Sequence, residues 1–117
     1  MRAINVSKGY VLSVGVVAVE SLWDRMKGLI GRDYLEKGES LWIRPCNSVH
    51  TLGMKFPIDV LFLDFENRVV GVSERISPNR ISKFVFKAKS VLELPAGTLS
   101  ATVTKVGDRV DFLIRES

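Results

Sequence analysis

The sequence predicts a mainly β protein, a small antiparallel β-sandwich or barrel with one short amphipathic helix packed against it. Three observations predict it. Short runs rich in Val, Ile, Leu and Phe, several alternating with period two, recur along the chain. Turn residues separate them: Asn67, Pro78-Asn79, Pro95-Ala96-Gly97 and Gly107-Asp108. Only the stretch after Glu20 places apolar residues at helical spacing. Residues 1–117 make a single domain, long enough for one modest core. The 46% apolar and 26% charged residues are those of a folded globular chain and exclude disordered and collagen-like architectures.

Taken in order, valine-rich Tyr10–Glu20 reads as a strand, since β-branched side chains suit a pleated, half-buried surface. Ser21 can cap the helix that follows, with Leu22, Met26, Leu29 and Ile30 on one face and Gly31 at its end. Leu41–Ile43 is a short apolar run stopped by Arg44-Pro45. In the strand Ile58–Asp64, alternation sets Ile58, Val60 and Phe62 on one face and Asp59, Leu61 and Leu63 on the other. Asn67 is the residue of the next turn best able to take a left-handed conformation, and Arg68–Val72 returns as the partner strand. Lys83–Lys89 alternates, with Phe84, Phe86 and Ala88 on one side and the lysines on the other. Val91–Leu94 is a further strand and Leu94-Pro95-Ala96-Gly97 a type I turn. Thr98–Thr104 is open between strand and helical turn, and Arg109–Ile114 is the terminal strand.

No apolar run approaches the ~20 residues that span a bilayer, so no membrane partner is expected. Arg2 and Lys8 ahead of Tyr10–Val19 have the outline of a signal peptide. Ser13, Gly15, the valine content and the lack of a small-residue cleavage site favour a strand instead, and a cytoplasmic protein.

The 17 basic residues outnumber the 13 acidic ones by four. Arg75, Arg80, Lys83, Lys87 and Lys89, against Glu74 alone, supply that whole excess between Ser73 and Ser90. Two readings compete: a solvated edge guarded by lysines, or a surface for phosphates and nucleic acid with Phe84 or Phe86 for stacking. Alternation sends the phenylalanines inward, away from the lysines, which counts against nucleic acid.

The reactive side chains gather between Arg44 and Asp59, which contain the only cysteine, Cys46, and the only histidine, His50. One cysteine excludes an internal disulfide, and one Cys with one His cannot complete a tetrahedral zinc site without carboxylates. Cys46-x3-His50-x3-Met54 has the loop spacing of a blue-copper site but lacks the second histidine, so no metal or cofactor is expected. Cys46 could act as a nucleophile with His50 as base, although four residues along a strand cover roughly 13 Å. In the plainer reading Cys46 and Met54 fill the core. Asp59 shares its face with Leu61 and Leu63, where a carboxylate must find His50, Arg44, Arg32 or a backbone donor.

Gly28-Leu29-Ile30-Gly31-Arg32, Cys46 through Asp64, Leu92-Glu93-Leu94-Pro95-Ala96-Gly97-Thr98 and Gly107-Asp108 together resemble domain-of-unknown-function family 192, also called uncharacterised protein family 127. The resemblance spans nearly the whole chain and implies a small β-rich domain; it implies no activity. Its motif positions include Arg32, His50, Thr51, Asp59 and Glu93. Leu52-Gly53 stand where bulkier residues are expected, which would widen any pocket there.

The leading expectation is a non-catalytic binding module. Its polar cleft would be built from His50, Asp59, Arg44 and Arg32, with Thr51 and Glu93 as further candidates, for a small polar or anionic ligand or partner. The alternatives are an enzyme using Cys46 or the Asp59–His50 pair, and nucleic-acid binding through residues 75–89. The sequence shows no oligomer signature.

Overall fold

The computed structural model describes residues 1–20 and 32–114, and their strands fall into two sheets. The smaller is antiparallel in the order β2-β1-β8, from β1 (Arg2–Asn5), β2 (Tyr10–Ser13) and β8 (Val110–Leu113). The larger has the order β3-β4-β7-β5-β6, from β3 (Gly15–Val19), β4 (Glu39–Ile43), β5 (Ile58–Leu63), β6 (Val69–Ile76) and β7 (Ser90–Pro95). β3 runs parallel to β4, and the other described pairings in this sheet are antiparallel. Neither sheet closes on itself among the described residues, so the mainly β class takes its sandwich form.

β5 shows how the sequence builds two cores from one strand. All six of its residues are buried. Ile58, Val60 and Phe62 join Ile43, Val49, Met54, Phe56 and Val91 on one face. Leu61 and Leu63 turn the other way, to Trp42, Leu92 and Leu94 and to Ala3, Leu12 and Val110 of the smaller sheet. The period-two alternation therefore holds, with both faces covered: one by the second sheet, the other by the loops around Val49, Phe56 and Ala88.

Tyr10–Glu20 forms two strands in different sheets, not one. The chain crosses at Val14, where the Gly38 carbonyl accepts from Val14 N, Gly15 N and Ser13 Oγ at 3.0, 2.9 and 2.8 Å. β1, central in the smaller sheet, has no counterpart in the sequence reading; its four residues include Arg2 and Asn5, too short and polar a run to stand out. Thr98–Thr104 resolves as helix α1 (Thr98–Ala101) followed by a tight exit. The helix expected from Ser21 to Gly31 lies outside the described residues.

Residues 83–89 form no strand. Val85 N bonds the Asn47 carbonyl, Ala88 N turns back to the Val85 carbonyl, and Lys89 N bonds the Leu63 carbonyl. Val85 and Ala88, three residues apart, face the core. Phe84 and Phe86 are 63% and 83% exposed, so the expectation that they pack inward is overturned.

Candidate functional site

Among the described residues, the sequence candidates are not all gathered into one cleft, since Asp59 and His50 lie on opposite sides of the larger sheet. Asp59 is fully buried on the side of Leu61 and Leu63, and its oxygens accept only backbone N–H groups: Arg75 on Oδ1 at 2.9 Å, Gly97 and Leu99 on Oδ2 at 3.1 and 2.9 Å. Of the partners considered for it, the backbone donors are the ones it has. They bind a bulge of β6, where Arg75 has φ 51°, to the start of α1. His50 belongs to the loop whose Val49 and Met54 fill the opposite core, so the Asp59–His50 pair is not formed. Its Nδ1 accepts the Leu52 N–H at 3.3 Å.

Arg44 lies elsewhere again, its guanidinium 4.2 Å from the Trp42 ring centroid, while Trp42 stacks on Phe112 of the smaller sheet. Arg32 donates to Glu39 at 2.8 Å; that hydrogen bond, against a smaller effect of burial, raises the guanidinium pKa and lowers that of Glu39. Thr51 is buried and works as a staple. Its Oγ1 donates to the Ser77 carbonyl at 2.6 Å and accepts from Arg80 N at 2.9 Å. Glu93 is fully buried, opposite Leu41 of β4 and Val60 of β5, on the His50 side of the sheet. The Cys46 thiol donates to the Ser48 carbonyl at 3.0 Å and packs on that same core. Among the described residues, no three His, Cys, Asp or Glu side chains converge as metal ligands.

What the structure does gather is a groove of about 490 Å³ lined by Asn47, Asp64, Phe65, Phe84, Phe86, Lys87 and Lys89. Phe65 comes from the β5–β6 turn and is 80% exposed. Its orientation follows from the turn: Asp64 Oδ1 accepts from Glu66 N and Arg68 N, both at 2.9 Å, and Asn67 takes φ 61°. Asp64 thus closes the turn and lifts Phe65 away from the core. Sequence reasoning missed Phe65 because it lies on a turn about twenty residues before Phe84 and Phe86.

A larger hollow, about 670 Å³, lies between β2, Gly38 and α1. Its lining hydroxyls of Ser13, Thr98 and Thr102 already bond within the fold, and Lys37 is its one charge, so little there would orient a polar ligand.

The model of the DUF192 family, described as an uncharacterized ACR, matches residues 3–112. The chain belongs to the DUF192 family. A UPF0127 protein from Pyrococcus furiosus is 30% identical over 114 residues, covering 93% of this chain and 96% of its own. Another, from Thermococcus sibiricus, is 29% identical over 118 residues, covering 97% of this chain and 75% of its own. The crystal structure of a protein of unknown function from Novosphingobium aromaticivorans superposes with a TM-score of 0.79 at 19% identity, covering 95% of this chain and 82% of that one. That likeness shows the fold.

In this DUF192 domain several motif residues serve the architecture. Asp59 and Gly97 form one junction; Gly97 has φ 97°, and a Cβ there would stand 3.3 Å from the Arg75 guanidinium. Gly107 and Asp108 form another. Asp108 accepts from Asn5 Nδ2 at 3.0 Å, Lys105 N at 2.9 Å and Lys8 Nζ at 2.9 Å, tying β1 to the approach of β8. Among the described residues, no helix is long and apolar enough to cross a membrane.

Proposed function

We propose that this domain is a non-catalytic binding module whose working surface is the groove of Phe65, Phe84, Phe86, Lys87 and Lys89, and that its ligand is anionic. The observation that carries this reading is the exposure of three phenylalanines, 63–83% each, around one hollow edged by lysines. Exposed rings held together mark an interaction site more often than a passive surface. The two lysines supply attraction for negative charge. The groove's one carboxylate, Asp64, is engaged in its turn, so the groove offers rings and positive charge and no nucleophile–base pair. The polar cleft expected around His50 and Asp59 has no such support, because Asp59 bonds backbone on the far side of the sheet.

The test is a titration with linear polyphosphate followed by backbone amide shifts. Shifts centred on Asn47, Phe65 and residues 84–89, lost in Lys87→Glu/Lys89→Glu, are the expected result. Shifts centred on His50, or none at all, overturn the reading.

A further inference from the structure

Resting on that groove as the binding surface, we infer that its ligand is single-stranded nucleic acid, with bases stacked on Phe84, Phe86 and Phe65 and phosphates drawn to Lys87 and Lys89. Three features of the groove point this way. Its rings come from separate backbone positions, two on one segment and one on a turn, and all three are exposed around the hollow. Every base has a π-face, and stacking on aromatic rings beside a basic track is how unpaired strands are held without sequence readout. In a duplex those faces are covered.

The segment is also preorganised. Val85 N, Ala88 N and Lys89 N all bond backbone carbonyls, at 3.0, 3.0 and 2.7 Å, and Val85 and Ala88 are seated against the core. Phe84, just before these anchors, and Phe86 and Lys87 between them are therefore held outward, and the free protein keeps its rings in water. Charge agrees: Lys83, Lys87 and Lys89 are all exposed along this segment, and Asp64 is the one acidic group in the lining. An acidic peptide would answer the charge but gain little from several separate rings.

The experiment compares an oligothymidylate of about 12 nucleotides, an abasic strand of equal length, and poly-glutamate by fluorescence anisotropy at several salt concentrations. The oligothymidylate should bind, with affinity falling as salt rises. Phe84→Ala and Phe86→Ala should each weaken it about tenfold with the salt slope unchanged, whereas Lys87→Ala should lower the slope by roughly 0.7. Both rings are exposed, so the fold should survive, and circular dichroism checks this. If the abasic strand binds as well as the oligothymidylate, or the Phe variants bind unchanged, the nucleic-acid inference falls while the anionic groove stands. Poly-glutamate binding as tightly and with the same dependence on the rings would make the partner an acidic protein segment and also overturn it. If none of the three binds, groove and inference fall together.

Discussion

Asp59 illustrates how a residue can carry a reactive group and still serve only the fold. A buried carboxylate must be paired or hydrogen-bonded, and this one takes three backbone N–H groups from two elements. Asp59→Ala would strand the Arg75, Gly97 and Leu99 N–H groups at a cost of roughly 1–3 kcal/mol each. The expected loss is at least about 3 kcal/mol by urea unfolding, with oligothymidylate binding by the folded fraction unchanged. Asp108 makes a second prediction at this scale. Burial alone would raise its pKa, but hydrogen bonds from Asn5, Lys105 N and Lys8, with the Lys8 charge, outweigh burial and lower it. A carboxyl with a depressed folded pKa contributes stability above its unfolded value of about 4, and loses it as pH falls through the folded value. Stability should therefore fall on acidification below about pH 4, and Asp108→Asn should flatten that limb while lowering stability at neutral pH. An unchanged acid limb in the variant would remove Asp108 from the account. The need of Asp59 for a partner was legible in the sequence, from its shared face with Leu61 and Leu63. Which partner was not, because the donors belong to a bulge and a helix start 16 to 40 residues away.

At the scale of elements, legibility followed burial on both faces. β5 and β7 are mostly apolar and buried along nearly their whole length and were readable, as was the turn at Asn67. The segment 83–89 was misread because apparent alternation of Phe with Lys concealed a spacing of three, Val85 to Ala88, set by loop hydrogen bonds. That misreading hid the groove. The stretch Thr98–Thr104 that holds α1 was ambiguous for a related reason: its threonines favour a strand, while hydrogen bonds such as Leu99 N to Asp59 decide the helix. It ends in a Schellman pair, Thr104 N to the Leu99 carbonyl at 3.0 Å and Val103 N to the Ser100 carbonyl at 3.2 Å. Val103 therefore holds φ 54°, a left-handed position that suits glycine and strains a β-branched side chain. Because Val103 is 44% exposed, Val103→Gly should sacrifice little packing and raise stability by about 0.5–1 kcal/mol, read as a higher urea midpoint at constant slope. A lower midpoint would show that the side chain contributes more than its strained backbone costs.

For the whole molecule, the decisive contact is between the sheets. Trp42 of β4 stacks on Phe112 of β8 with ring centroids 3.7 Å apart, while its Nε1 donates to Ser90 Oγ of β7 at 3.0 Å. In the smaller sheet β1 lies between β2 and β8, so the first described strand pairs with the last. Three strands of four residues each bury too little to stand alone, so the smaller sheet depends on the face of Leu61, Leu63, Leu92 and Leu94 that it covers. That larger sheet would in turn expose those leucines if the smaller one left. Mutual dependence of this kind predicts one cooperative transition, with tryptophan fluorescence and far-UV circular dichroism coincident. Phe112→Ala should lower stability by about 3 kcal/mol and leave the transitions coincident. If fluorescence instead moves ahead of the dichroism in that variant, the smaller sheet separates first, and the larger sheet holds its fold with one face uncovered. The groove of Phe65, Phe84 and Phe86 lies beside the opposite core, around Val85 and Ala88. Binding there should therefore survive Phe112→Ala in the folded fraction, whichever way the two sheets part.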